Sequence, residues 1–399
     1  MRVLTERVPG VRSAAAGVWV IQGGAHEPAE IMGASHMLEH MVFKGTRSRS
    51  AKEIALSLES LGGSLDAYTS REHTSYQARV LDRHLPVALD VLSDLALHPL
   101  LRDQDLALER DVVLEEIGTV EDTPDDLVFD LHARELWGTH PYGHPILGTR
   151  ETVSELSADD LHRVHASSYR ARNMVVAAAG NLDHDAVLRE VVNRFGALEP
   201  GRPASLVATP SQAGAGDRHE ARESTQSHIV FGTAGLHRAD PRRYALVVLS
   251  QAFGGGMSSR LFQRIREELA LAYAVYSFHS FHRAAGSVGV YLGTRPEAAS
   301  LAVEAVLEEM DRMAHHGLSD RELELVREQV KGQLTLAAES LGSRLHRLAA
   351  FALHDEPVVD LGELLERYDA VNQDQVADVA RTLFETGRQL VLSLGPQRG

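Results

Sequence analysis

Residues 33–46 read "GASHMLEHMVFKGT" and place His36, Glu39 and His40 within five positions, in the order H-x-x-E-H. Met37, Leu38, Met41, Val42 and Phe43 surround them. On an α-helix, residues i and i+4 share a face about one turn apart, so His36 and His40 can grip one ion from a single rigid element. Glu39 lies on a neighbouring part of that face and can reach the same space without needing to be a ligand. The apolar company points to a mostly buried helix, where imidazoles and carboxylates need partners. The pattern is the reversed form of the zinc peptidase helix motif, although five residues alone also fit an amphipathic surface helix.

A catalytic zinc keeps three protein ligands and one water, so a third ligand must come from elsewhere. Val113, Ile117 and Val120 mark an apolar stripe at helical spacing, and Glu109 and Glu116, seven apart, fall on it. Inward carboxylates are costly unless paired or metal-bound, which makes both of them candidates. Two glutamates reaching into water at the edge of a core are the alternative. Glu115 points about 100° away from Glu116 and suits solvent. The chain has no cysteine, so disulfides and thiolate sites are excluded and a metal must be held by imidazole and carboxylate.

The 399 residues are 44% hydrophobic and 24% charged, as in a globular protein of two ordinary domains. The net charge of −16 argues against nucleic acid as the main partner and suits a cationic ligand. No apolar run reaches the length of a membrane span, so no membrane role is expected. The opening "MRVLTERVPGVRS" lacks the apolar core of a signal peptide, and a cytoplasmic location is the expectation.

The Pro/Gly/Ala/Ser-rich stretch 197–217 reads as a linker between two halves with one plan. Each half opens on an apolar strand, "SAAAGVWVIQ" or "SHIVFGTAGL", followed by a glycine-marked helix, further strands and long amphipathic helices. Residues 101–117 lie over 318–334 without gaps, at a shift of 217, with six identities in seventeen. This points to duplication. Glu109 and Glu116 are replaced by Val326 and Gln333, so chemistry is expected in the first half alone.

"HMLEHMVFKGT", "LGGSLDAYTSREHTSY" (61–76), "ERDVVLEEIGTVEDTP" (109–124) and "HPYGHPILGT" (140–149) together resemble the pitrilysin-type zinc peptidases of family M16. The short-chain branch, similar to mitochondrial processing peptidase β-subunits and bacterial relatives, is the best match, over nearly the whole chain. The resemblance implies His36, His40 and Glu116 as ligands of one zinc per chain, Glu39 as general base and Glu109 as a supporting glutamate. It implies an α+β class with two homologous domains, each an antiparallel-rich sheet packed against helices, in the LuxS/MPP-like metallohydrolase fold. The expected division is a zinc-binding catalytic domain (1–199), a linker (200–217) and a metal-free domain with substrate contacts (218–399). From "GGGMSSRLFQRIREELALAYAVYSF" (254–278), read as a glycine-punctuated helix start, a helix and a strand, the resemblance takes Arg266 and Tyr273 as holders of the substrate carbonyl. No Gly-Lys-Ser/Thr ending makes it a phosphate loop.

The strand "GGSLDAYTSREHTSY" borders the cleft in the family and pairs with substrate backbone. The family has Asn where this chain has Asp66, which cannot donate a hydrogen bond when ionised. Glu72 and His73, adjacent on that strand, are expected on opposite faces with structural roles. His132, His140, His315 and His316 show no ligand spacing. The expected activity is that of a zinc metalloendopeptidase on unstructured, basic, presequence-like peptides. Family members of this length pair two chains into a hollow shell. A homodimer is expected here, with a heterodimer of related chains as the alternative. A non-catalytic or partner-dependent scaffold, a two-histidine, one-carboxylate iron enzyme and a specialised maturation peptidase remain the other readings.

Overall fold

A computed structural model describes residues 1–397. Strands β1 (Arg2–Arg7), β2 (Ser13–Val20), β3 (Ser64–Thr69), β4 (Thr74–Leu81) and β5 (Met174–Gly180) form one sheet in the order β1-β5-β2-β4-β3. Strands β6 (Gly216–Ala221), β7 (Ser227–Gly235), β8 (Ala272–Phe281), β9 (Gly286–Thr294) and β10 (Leu390–Gly395) form a second, in the matching order β6-β10-β7-β9-β8. In each sheet the first edge strand runs parallel to its neighbour and the other pairings are antiparallel. The α+β expectation of two like, antiparallel-rich sheets packed against helices is what the structure shows.

The helices are α1 (Ala34–Val42), α2 (Ala51–Glu59), α3 (Leu85–Leu97), α4 (Asp103–Glu121), α5 (Pro124–Trp137), α6 (Arg150–Glu155), α7 (Ala158–Ser168), α8 (His184–Phe195), α9 (Arg243–Gly254), α10 (Ala299–His316), α11 (Asp320–Ala337), α12 (Leu341–Leu353), α13 (Leu361–Asp369) and α14 (Gln373–Leu383). The shift of 217 seen in the sequence carries Asp103 and Pro124, which open α4 and α5, onto Asp320 and Leu341, which open α11 and α12. Among the described residues no helix is long and apolar enough to cross a membrane.

Strand β2 shows why its sequence is almost wholly apolar. Ala14, Ala16, Val18 and Val20 face a core shared with α1 and α3. Ala15 and Trp19 face the other way, onto Leu341, Leu345, Leu348 and Ala352 of α12. A strand covered on both faces loses the polar half of its alternation.

The packing divides the chain differently from the sequential domains 1–199 and 218–399. One compact unit comprises 1–118, 144–207 and 336–358, and the other comprises 119–143, 208–335 and the chain from 359 onward. Each unit takes a helix from the other half of the sequence. In the first, α12 lies on β1, β2 and β5, and Arg344 and Arg347 both bind Glu6 of β1. In the second, α5 lies on β7 and β10, with Val128 packed among Val230, Leu392 and Leu394. The buried contacts of an amphipathic helix fix its place, and here they lie on a sheet distant in sequence.

Three local expectations change. Strands β1 and β6 precede the apolar strands that the sequence marks as first, and their polar sequences "RVLTER" and "GDRHEA" give no apolar signal. Glu72 and His73 lie in the turn between β3 and β4, so strand alternation does not separate them. Gly254 ends α9 rather than starting a helix, and Phe262–Glu268 winds as a π-helix.

His132 of α5 is 4% exposed, with Nε2 3.3 Å from the Leu390 carbonyl oxygen. Burial holds its pKa down to about 4. The folded state therefore resists a proton that the unfolded chain accepts near pH 6.5, and stability falls as the pH drops from about 6.5 towards 4, by roughly 3 kcal/mol for this one group. His132→Asn is expected to lose that part of the pH slope. The check is the urea midpoint of both proteins at pH 7 and pH 5. An unchanged slope would show that His132 does not carry it.

Candidate metal centre

Helix α1 buries Ala34, Ser35, Met37, Leu38, Met41 and Val42 and leaves His36, Glu39 and His40 half-buried along its remaining face. The apolar residues anchor the helix in the core and aim the three polar groups together. Helix α4 brings the second set. Leu106, Glu109, Val113 and Ile117 form its buried face, and Glu116 stands half-buried beside them. The stripe read from the sequence is real, and the two glutamates differ in depth.

Among the described residues, one group of His, Cys, Asp or Glu side chains could hold a metal ion: His36, His40 and Glu116, with donor atoms all within 4.8 Å of one another. Glu116 Oε2 lies 3.7 Å from His36 Nε2 and 3.6 Å from His40 Nε2. Tetrahedral zinc bonds of about 2.1 Å place neighbouring donors roughly 3.4 Å apart. The three residues therefore fit such an ion in donor type and in spacing. Burial first, and the neighbouring His40 second, hold the His36 pKa down to about 4. The neutral imidazole is the form that binds metal.

Around this triangle lie groups that orient it. Glu109 Oε2 is 3.1 Å from His40 Nδ1, and Glu109 Oε1 is 2.5 Å from Lys44 Nζ. With Nδ1–H donated to Glu109, His40 keeps its Nε2 lone pair free for an ion. His36 has no such brace, because its Nδ1 is buried without a hydrogen-bond partner. Thr69, at the end of β3, donates from Oγ1 to Glu39 Oε2 at 2.6 Å. Burial raises the Glu39 pKa, opposed by Thr69 and His40 and helped by Glu116.

Lys44 and Thr69 were not singled out in the sequence. Lys44 lies four residues beyond His40, so helical spacing could have found it. Thr69 depends on the long-range placement of β3, which no local pattern shows. Asp66 is exposed on β3, the edge strand of its sheet.

In the second unit Arg266 leaves the π-helix and Tyr273 lies at the start of β8. The Arg266 guanidinium carbon stands 4.7 Å from the ring centres of both Tyr273 and Phe262. Tyr273 is 80% exposed. The pair named together from the sequence is thus in contact, with the cation against two aromatic faces.

A duplicated α+β architecture with one constellation of two histidines and a carboxylate, present in only one of its repeats, defines the class of protein. The particular family follows from comparison with known proteins. The profile of Insulinase (Peptidase family M16) matches residues 2–150, and that of the Peptidase M16 inactive domain matches residues 155–330. The chain belongs to peptidase family M16. It is 41% identical to an uncharacterized zinc protease of Streptomyces coelicolor, over 99% of this chain and 88% of the relative. It is 39% identical to the uncharacterized zinc protease YmxG of Bacillus subtilis, over 98% and 95%. Two crystal structures share the fold. A peptidase M16 inactive domain protein from Pseudomonas fluorescens has a TM-score of 0.93 at 22% identity, over 100% of this chain and 96% of that one. A protease from Helicobacter pylori has a TM-score of 0.91 at 20% identity, over 99% and 96%.

Glu109→Gln is expected to weaken zinc binding by about 10–100-fold, because it removes the carboxylate that orients His40. Competition against a fluorescent chelator measures this, and wild-type affinity in the variant would show that Glu109 does not position the ligand.

Proposed function

We propose that this protein is a zinc-dependent endopeptidase acting on unstructured peptides, with His36, His40 and Glu116 holding one zinc per chain. The observation that carries this reading is the convergence of those three donors on one point, with the Glu39 carboxylate held beside them by Thr69. Names of relatives as zinc proteases support it. When bound, zinc would lower the pKa of a water and polarise a substrate carbonyl.

The chain's own groups do the rest. Glu39 takes the proton of the attacking water and later delivers it to the leaving amine. Thr69 engages Glu39 Oε2, which leaves Oε1 to face the water. The raised Glu39 pKa suits a group that must both accept and release a proton. Lys44 and Glu109 hold His40 in the tautomer that offers Nε2.

Substrate binding is assigned to β3. As an edge strand it presents unpaired N–H and C=O groups, and an extended peptide can add to it as a further strand. A peptide already folded has no free backbone to offer, so unstructured substrates are preferred. The net charge of −16 and exposed Asp66 favour basic, presequence-like peptides. Arg266 and Tyr273 supply a guanidinium and a phenol, good donors to a developing oxyanion. Because one chain carries both the metal set and this pair, a homodimer is the proposed assembly, rather than a pair of related chains that divide the two roles.

Cleavage of a short, basic, unstructured peptide tests the reading, with wild type and Glu39→Gln each assayed with and without chelator. Wild type is expected to cut and chelation to stop it. Glu39→Gln is expected to bind zinc normally and to lose at least about 100-fold in rate, the low end of general acid–base contributions. A metal-loaded wild type inactive on a broad peptide library would favour a scaffold or partner-dependent role. Metal analysis showing iron with oxygenase activity would favour the facial-triad chemistry.

A further inference from the structure

His40 has Glu109 to orient it, but His36 has no side-chain brace. With no hydrogen bond at Nδ1, the position of His36 depends on the backbone of α1 and on packing beside the His40 ring, 4.7 Å away between centres. That backbone is poorly equipped to hold itself. The helix has nine residues, and His36 lies in its first turn. The first N–H groups of any helix lack intrahelical partners, and short helices fray from their ends. The N-cap is Gly33, with φ of 91° and no side chain to cap the helix.

The missing cap comes from a distance. Glu27, 4% exposed, accepts the Gly33 N–H at Oε2 (2.8 Å) and the Ser35 N–H at Oε1 (2.6 Å). One carboxylate thus ties down two backbone donors, the second belonging to the residue before His36. Gln22 adds a side-chain tie. Its Nε2 donates to Ser35 Oγ at 3.0 Å, its Oε1 accepts from Ser168 at 2.8 Å, and its carbonyl accepts from Thr74 at 2.9 Å. From the other side the loop before α6 closes on the same point. A Cβ on Gly33 would lie 2.5 Å from the Leu147 carbonyl oxygen, and one on Gly148 2.4 Å from that of Met32. The turn cannot shift that way without collision, and Glu27 holds it from within.

We propose that Glu27 is a positioning residue for the metal centre, fixing the first turn of α1 and through it the place of His36 relative to His40 and Glu116. The proposal rests on the reading of those three residues as zinc ligands. Glu27 is not a ligand, and its effect passes through backbone N–H groups. Glutamine has the same length but only one acceptor oxygen, and it sets an N–H₂ donor against a backbone N–H. The ligand triangle should loosen while the core remains.

Three proteins test this: wild type, Glu27→Gln, and Val187→Ala, a core truncation on α8 of the same unit. Zinc affinity is measured by chelator competition, the visible spectrum is recorded with cobalt substituted, and thermal midpoints are taken without metal. Glu27→Gln is expected to lose about 10–100-fold in zinc affinity, in the range of other groups that orient ligands, and to shift the cobalt bands. Val187→Ala should lose thermal stability and keep wild-type affinity and spectrum. Should Glu27→Gln not fold, Glu27→Asp is read in the same way, since it keeps the charge but is one methylene short. Wild-type affinity and spectrum in the Glu27 variant overturn the proposal. So does an equal loss of affinity in Val187→Ala, which would make Glu27 an ordinary stabilising residue. A wild type that binds no zinc overturns the ligand reading itself, and this proposal with it.

Discussion

A two-histidine chelate is only as good as the helix that carries it. Helix α1 is too short to be rigid through its own hydrogen bonds, since nucleation is costly and nine residues return little. Its order comes from elsewhere. Met37, Leu38, Met41 and Val42 lock one face into the core at 0% exposure. Helix α4 then approaches with Glu116 for the same point and Glu109 for the back of His40. The polar face is left where it can meet an ion because every other face is occupied.

Among the described residues such a centre occurs once, although the two halves share one plan. Both sheets share one strand order, and α4–α5 and α11–α12 start at equivalent places. The scaffold that presents a carboxylate at Glu116 presents Gln333 in the repeat, and the position of Glu109 is taken by Val326, 7% exposed and part of the second core. The repeat instead exposes Tyr273 against Arg266.

Much of this was legible in the sequence, and what escaped did so for physical reasons. His36, Glu39 and His40 stand about one helical turn apart, so spacing suggested a chelate, while the periodic stripe offered both Glu109 and Glu116 and the family resemblance singled out Glu116. The identity of the fold followed from several motifs in order. Strands β1 and β6 escaped because their side chains are half-buried or exposed at a sheet edge, where a strand need not be apolar along its length. The turn at Glu72 and His73 escaped because "TSREHTS" (69–75) has no glycine or proline to mark it. Glu27 and Thr69 act from a loop and from an edge strand, and their partners lie 6 to 8 and 30 positions away. One unit boundary, between 207 and 208, falls inside the glycine- and proline-rich linker, and the exchanged segments escaped because a linker does not mark where helices dock.

The exchange of α5 and α12 bears on how the chain is made. The unit that carries His36, His40 and Glu116 needs residues 336–358, which are synthesised after nearly all of the second sheet. The face of its sheet that carries Ala15, Trp19, Val175 and Ala177 therefore stays uncovered until the segment through residue 358 has been made. Domain-by-domain folding during translation is closed to this architecture. The nascent first half can cover one face of its sheet with α1 and α3, and the other face has to wait for a helix encoded far downstream.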